Sequence, residues 1–295
     1  MSSVITIEQV WHNASVWVLP NKSSLVWIAG VVSNLQVAED DWKFTIECTN
    51  GECYTISTRA VDANCSEFDL VKRRDNSMSP SSGQAVADMT SLLFLNEPEM
   101  VNCIERRFAT RQIYTGIGPI LVALNPFERL PIYGGEIADK YFEASTLAES
   151  KALGPHVYYL SDSAYRRMFI DRYNPDRRED QVILVNGESG SGKTESTKLV
   201  LEYLARVSSK VLIELDDPSL LRNDIERSIG ASNPITESFG NAKTSRNNNS
   251  SRFGKIIDLL YSEDGYIEGA NMCTYLLETV RVAFQQKGER NYHGR

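Results

Sequence analysis

The chain has 295 residues, 42% hydrophobic and 24% charged, with 31 Lys and Arg against 39 Asp and Glu. That balance suits a globular protein of about two domains and excludes collagen-like, low-complexity and wholly disordered chains. A net charge of -8 argues against a nucleic-acid binder, which carries a basic excess.

No apolar run approaches the roughly 20 residues of a membrane helix, and the longest, residues 25–32, suits a strand. The opening MSSVITIEQVWHNAS lacks the cationic start and apolar stretch of a secretory leader, so the cytoplasm is the expected compartment. The five cysteines are too scattered for a disulfide framework. Cys48 and Cys53 flank the hairpin signal Asn50-Gly51, which sets them opposite each other on paired strands; a reducing cytosol disfavours a bridge there. Three histidines are too few and too dispersed for a zinc site.

All four tryptophans (11, 17, 27, 42) lie in the first 42 residues. SVWVL, LVWIAGVVS, KFTIEC and CYTIST read as short alternating strands, with turn signals at Pro20-Asn21, Asp40-Asp41 and Asn50-Gly51; this spacing predicts a small β-barrel. Residues 72–90 are rich in Ser, Pro and Gly and read as a surface linker in which Lys72, Arg73 and Arg74 are solvated. SLLFLNEPEMVNCIERRFAT has helical spacing, GPILVAL reads as an apolar strand, SDSAYRRMFIDRY as a helix, and QVILVN as a short buried strand. Strands alternating with helices predict an α/β domain with a largely parallel sheet. FGKIIDLLYS and YIEGANMCTYLLE flank Asp264-Gly265, a second hairpin signal, so the sheet is expected to be mixed.

Residues 187–194 read Gly-Glu-Ser-Gly-Ser-Gly-Lys-Thr and fit G-x-x-x-x-G-K-[ST], between the expected strand and the helical TESTKLVLEYLARV. A triphosphate is dense negative charge and needs many small donors close by. Gly187, Gly190 and Gly192 let the backbone curl so that its N–H groups converge, and the helix start points the same way. Lys193 supplies positive charge for the β- and γ-phosphates, and Thr194 a hydroxyl for Mg2+. Residues 241–255, Asn-Ala-Lys-Thr-Ser-Arg-Asn-Asn-Asn-Ser-Ser-Arg-Phe-Gly-Lys, would pass for a polar loop by propensity alone. Beside a phosphate loop, their hydroxyls, amides and arginines suit a sensor of the γ-phosphate. These two features leave an ATPase, a kinase and a GTPase open, the last two with Ile256-Ile257-Asp258 as a metal-binding strand end.

GESGSGKTEST followed by FGNAKTSRNNNSSRFGK resembles the motor head of a myosin. The likeness extends to Asn125-Pro126-Phe127 through Tyr133, to Gln112-Ile113-Tyr114-Thr115, to Pro155-His156 ahead of SDSAYRRM, to residues 274–278 (TYLLE) and to residues 284–293 (FQQKGERNYH). The amino-terminal VWV…SSLVWIAGVV is similar to the Src-homology-3-like barrel preceding many myosin heads. The resemblance implies a P-loop NTPase core with a mixed, mainly parallel, incomplete sheet at residues 91–295, a linker at 67–90 and the small barrel at 1–66. It implies ATP and Mg2+ as ligands, with Gly187, Glu188, Ser189, Gly190, Ser191, Gly192, Lys193, Thr194 and Glu195 on the phosphates and Asn125, Pro126 and Tyr133 along the adenine. Asn247, Ser250, Ser251 and Arg252 would form the first switch. There Asn247 contacts phosphate, Ser250 sits by the attacking water, and Ser251 joins Thr194 on Mg2+. Arg252 pairs with a glutamate of a second switch. The implied partners are actin filaments and light chains or calmodulin, and the implied place is the cytoskeletal myosin complex.

Some positions depart from the family pattern. Asn186 and Ser191 stand where Ser and Ala are commoner, Ser228-Ile229-Gly230-Ala231 is unusual before Asn233-Pro234, and residues 208–227 correspond to a variable surface loop. No D-x-x-G follows Thr194. The second switch and the actin-contacting regions are therefore expected outside this chain, and Arg252 is expected to lack a partner within it. Two functional expectations follow: a piece of an actin-based motor ATPase, or a nucleotide-binding fragment without turnover or motility.

Overall fold

The computed structural model describes residue 11, residues 13–20, 26–38, 41–59, 71–74, 85–169, 179–215 and 225–293. They form two compact units, residues 1–122 and 123–295.

The first unit holds a five-stranded antiparallel sheet of β1 (Ser15–Val18), β2 (Ile28–Ala38), β3 (Asp41–Cys48), β4 (Cys53–Arg59) and β5 (Val71–Arg73), in the order β4-β3-β2-β1-β5. Alternation dictates which face is buried: Trp42, Phe44, Ile46 and Cys48 point inward with Val16, Val18, Val32 and Val71. Trp11 closes this core, its ring edge-on to Phe44 at 5.4 Å. The Asn50-Gly51 signal forms the β3–β4 turn as expected, with Gly51 at φ +86 and the Cys48 amide bonded to the Glu52 carbonyl at 2.9 Å. The register corrects the cysteine expectation. Glu47, not Cys48, faces Cys53, so Cys48 is buried while Cys53 is exposed, and both are free thiols.

The segment read as linker also differs. Val71–Arg73 pairs with β1, Val16 opposite Arg73, and completes the sheet. Arg73 is not simply solvated: its guanidinium lies over Trp11 at 5.3 Å and Phe94 at 5.1 Å, while that of Arg74 lies over Trp17 at 4.9 Å. The aromatic faces attract these cations, a pairing invisible in a charge run.

Helix α1 (Glu97–Ala109) matches the expected helix, capped by Asn96, whose side chain accepts from the Glu99 amide. Glu99 is fully buried and accepts from the Trp17 indole at 2.8 Å. The expected strand GPILVAL appears as β7 (Ile120–Ala123), the partner of β6 (Tyr114–Ile117) in a hairpin.

The second unit is mostly helical: α2 (Gly135–Glu143), α3 (Leu147–Ala152), α4 (Val157–Met168), α5 (Lys193–Glu214) and α6 (Ile225–Gly240). Helix α5 buries Val200, Tyr203, Leu204, Val207 and Val211, one stripe at helical spacing. It continues to Glu214, into the stretch expected as a surface loop. Two short strands, β8 (Asn241–Ala242) and β9 (Ser250–Ser251), pair with each other; β10 (Gly254–Tyr261) and β11 (Ile267–Tyr275) form the expected hairpin around Asp264-Gly265. A short helix, α7 (Val280–Ala283), follows.

One expectation fails clearly. Residues 181–188 form no strand, and Val182 and Leu184 are 89% and 85% exposed. A strand exists only through its ladder partners, and none pairs here among the described residues. Every strand ladder among them is antiparallel, with a single isolated parallel bridge between Asp88 and Gly116. The mainly parallel sheet is therefore not formed by these residues. No helix among them is long and apolar enough to cross a membrane.

Candidate functional site: a phosphate loop and its facing strand pair

The loop of residues 187–192 leads into α5 through Gly192 at φ +96, a left-handed N-cap that a side chain would strain. Gly190 adopts φ +84 beside Asn247, and a Cβ on it would lie 4.0 Å from that of Asn247. The loop is internally braced: the Ser191 amide donates to the Glu188 carbonyl at 3.2 Å. Lys193 folds back over it and donates from Nζ to the carbonyls of Gly187 (2.7 Å) and Glu188 (2.8 Å). The first turn of α5 leaves its amides without intrahelical partners, as every helix start does. Thr194 and Glu195 are exposed there, and Glu195 pairs with Lys198 at 2.8 Å.

Residues 241–252 meet this loop. The Ser189 and Ser250 hydroxyls are 2.8 Å apart, and Arg246 forms an ion pair with Glu188. Ser250 is buried; Ser251, its neighbour in β9, is exposed. Asn247 closes a tight turn in which its amide donates to the Thr244 hydroxyl at 3.1 Å and its side-chain oxygen accepts from the Asn249 amide at 3.0 Å.

Arg252 has a partner in this chain, contrary to expectation. Its Nε donates to Glu278 Oε2 at 2.5 Å. Glu278 also accepts from Arg281 at 2.9 Å, and the nearly buried Arg281 reaches Glu289 at 2.9 Å. The Arg252 guanidinium first, then Arg281, holds the Glu278 carboxyl below the usual range. Residues 278–293 therefore wrap the 241–252 stretch, with further bonds from Tyr292 to the Glu278 carbonyl (2.7 Å) and between His293 and Asn249 (3.0 Å). Glu278 and Glu289 lie in the segments TYLLE and FQQKGERNYH, where no role was assigned to them, and Arg281 lies between those segments. Opposite charges three apart at Glu278 and Arg281 were the available signal.

Asn125 joins this assembly: its Nδ2 donates to the Gly190 carbonyl at 2.9 Å, while its Oδ1 accepts from the Phe127 amide. Pro126 is half-buried behind it. Tyr133 packs against the rings of His156 (5.6 Å) and Tyr158 (6.3 Å). Beneath lies a buried polar hub. Asp162, fully buried, accepts from Ser150 (2.9 Å), Tyr203 (2.9 Å) and Arg166 (2.8 Å), tying α3, α4 and α5 together. The site thus gathers the phosphate loop, residues 241–252 and the start of the 125–133 loop.

A glycine-built loop opening a helix, its lysine, and a facing pair of serines meet here, as the expected phosphate-loop pattern requires. Comparison with known sequences narrows the reading. The family model for the myosin head (motor domain) matches residues 86–294, and the chain belongs to that family, which implies a P-loop NTPase fold. It is 47% identical over 222 residues to Myosin-VIIa of Drosophila melanogaster, covering 75% of this chain and 9% of that protein. It is 39% identical over 287 residues to Myosin-16 of Arabidopsis thaliana (97% of this chain, 20% of that one). It is also 39% identical over 286 residues to Myosin type-2 heavy chain 2 of Schizosaccharomyces pombe (97% and 12%). The chain thus spans a fifth or less of the length of these relatives.

Proposed function

We propose that the chain is the ATP-binding part of an actin-based cytoskeletal motor. The whole protein hydrolyses ATP to ADP and phosphate and couples product release to force on actin filaments, with light chains or calmodulin as further partners. The observation that carries the reading is the Ser189–Ser250 contact, which joins the phosphate loop to the one other segment whose chemistry suits a γ-phosphate sensor. In this reading Lys193 leaves the Gly187 and Glu188 carbonyls for the phosphates. Asn247, already beside Gly190, donates to the same anion. Ser250 sits at the attacking water, and Arg252, with Glu278 behind it, holds the 241–252 stretch closed.

The donor set fits Mg2+, a hard cation that takes oxygen ligands and keeps several waters. Thr194 and Ser251 both carry hydroxyls on exposed residues, the first at the phosphate loop's end and the second next to Ser250. When bound, Mg2+ supplies charge neutralisation on the β- and γ-phosphates. Along the base, Asn125, Pro126 and Tyr133 form the wall. The amino-terminal sheet, with a single buried core that includes Val71, supports a small barrel whose last strand lies at residues 71–73, beyond the expected boundary at 66.

Titration calorimetry with Mg2+ and ATP tests the proposal. Lys193→Ala is expected to weaken ATP by about 10- to 100-fold, the worth of a charge-assisted contact. An unaltered affinity refutes the site.

A further inference from the structure

The loop of residues 125–134 is held at both ends. Its start is tied to the phosphate loop by Asn125. Its end is tied by one imidazole: His156 Nε2 lies 3.0 Å from the Ile132 carbonyl oxygen, and Nδ1 accepts from the Tyr158 amide at 3.0 Å. A neutral imidazole has one donor and one acceptor, so these partners place the proton on Nε2. The same ring therefore does two jobs. It caps α4, and it fixes the residue next to Tyr133.

The packing around it is tight. Tyr141 stacks on the His156 ring at 5.5 Å with the planes 20° apart, and Tyr158 lies 4.6 Å from it. The Gly134 amide donates to the Tyr158 hydroxyl at 3.4 Å, so both neighbours of Tyr133 are held. Tyr158 stacks on Tyr203 at 5.4 Å, and Tyr203 belongs to α5, the helix that leaves the phosphate loop. Burial keeps the imidazole neutral, with its pKa pushed down to about 4, so the donor–acceptor pair survives throughout the neutral range.

We infer that His156 is a positioning residue for recognition of the nucleotide's base: it sets the Tyr133 ring and so decides how much of the binding comes from the base rather than from the phosphates. This rests on the proposed ATP site, in which Tyr133 lies along the adenine. A base is recognised by a flat, rigid face, and a ring whose flanking backbone is pinned on both sides gives one at little entropic cost. The phosphate contacts stand on Lys193 and the loop amides and do not pass through His156.

The test compares ATP with inorganic tripolyphosphate, both with Mg2+, by calorimetry on the 295-residue chain. The ratio of the two affinities is the share due to the nucleoside. Base–aromatic contact makes that ratio about tenfold in the unaltered chain. His156→Asn is the informative variant. Asparagine is a strong N-cap and keeps an acceptor for the Tyr158 amide, but it is too short to hold Ile132. It is expected to bind tripolyphosphate as before and to lose most of the preference for ATP. In a Tyr133→Ala background it is expected to change nothing further. A retained ATP preference, equal weakening of both ligands, or additive effects of the two substitutions overturns the inference alone. An unaltered chain that binds both ligands equally overturns the assignment of Tyr133 to the base, and the inference with it. One that binds neither overturns the ATP site.

Discussion

The hydroxyls of Ser189 and Ser250 meet at 2.8 Å, although 61 residues separate them in the sequence. The bond joins the phosphate loop to β9, and it is neutral and partly buried. Ser250→Ala is therefore expected to cost about 1 kcal/mol, the net worth of such a bond. Urea denaturation of the two chains measures it; Arg252 Nη1 also reaches the Ser250 hydroxyl, at 3.5 Å, and a loss several times larger would mean that the hydroxyl holds more than these two contacts.

Two carboxylates of the second unit should behave very differently. Asp162 is fully buried under three donors, whereas Asp139 makes surface ion pairs with Arg206 (2.6 Å) and Lys210 (2.9 Å). Asp162→Ala leaves two buried hydroxyls, those of Ser150 and Tyr203, and the nearby Arg166 without this acceptor and is expected to cost about 3 kcal/mol. Asp139→Ala is expected to cost about 1 kcal/mol or less. Thermal unfolding of both variants ranks them, and equal losses contradict the assignment of Asp162 as the hub.

Acid stability should report His156. Its folded pKa is about 4, against an ordinary value near 6.5 in the unfolded chain. Below the ordinary value the unfolded chain takes up a proton that the folded chain refuses, so stability falls as pH drops from 6.5 and levels off below 4. The total loss is about 3 kcal/mol. Urea midpoints across this window are expected to fall more steeply for the unaltered chain than for His156→Asn; parallel profiles would refute the shift.

Glu278 serves two arginines at once. Glu278→Gln removes the charge that holds Arg252 and the nearly buried Arg281, and is expected to cost about 2 kcal/mol. Amide hydrogen exchange localises the effect: protection should fall at residues 241–252 as well as around residue 278, because Arg252 lies between them. Loss confined to residues near 278 would show that the wrap does not brace the loop.

Two turn glycines separate strain from space. Gly51 and Gly265 both have positive φ, +86 and +95, but only at Gly265 would a Cβ collide, 2.6 Å from the Tyr165 hydroxyl. Gly51→Ala is expected to cost about 1 kcal/mol from backbone strain alone. Gly265→Ala should cost about 2 kcal/mol or more, since the bond from Tyr165 to the Gly265 carbonyl (2.9 Å) is displaced too.

What could be read from the sequence was local. The phosphate loop is eight consecutive residues whose chemistry is complete in itself, and the β3–β4 and β10–β11 hairpins were each announced by a dipeptide with a preferred turn. Helix α1 followed from its spacing, whereas its Asn96 cap is seen only in the structure. What could not be read depended on distant partners. QVILVN has the composition of a buried strand, yet composition cannot supply a ladder. Arg73 and Arg74 look like any solvated charge run until Trp11, Phe94 and Trp17 are placed beneath them. Glu278 and His156 lie in quoted motifs, but their roles exist only through Arg252 and Ile132, which sequence distance conceals.

The register of the amino-terminal sheet also sets an order of assembly. Strands β2, β3 and β4 follow one another through short connections, so their pairing closes small loops and needs little search. Pairing of β5 with β1 joins Arg73 to Val16 and must wait until residue 73 has left the ribosome, several seconds after the first strand at ordinary synthesis rates. Until then β1 has one open edge, and Val18, destined for full burial opposite Val71, has no strand on that side. A nascent chain stalled before residue 71 should therefore be digested by protease near β1, and one stalled well past residue 74 should not.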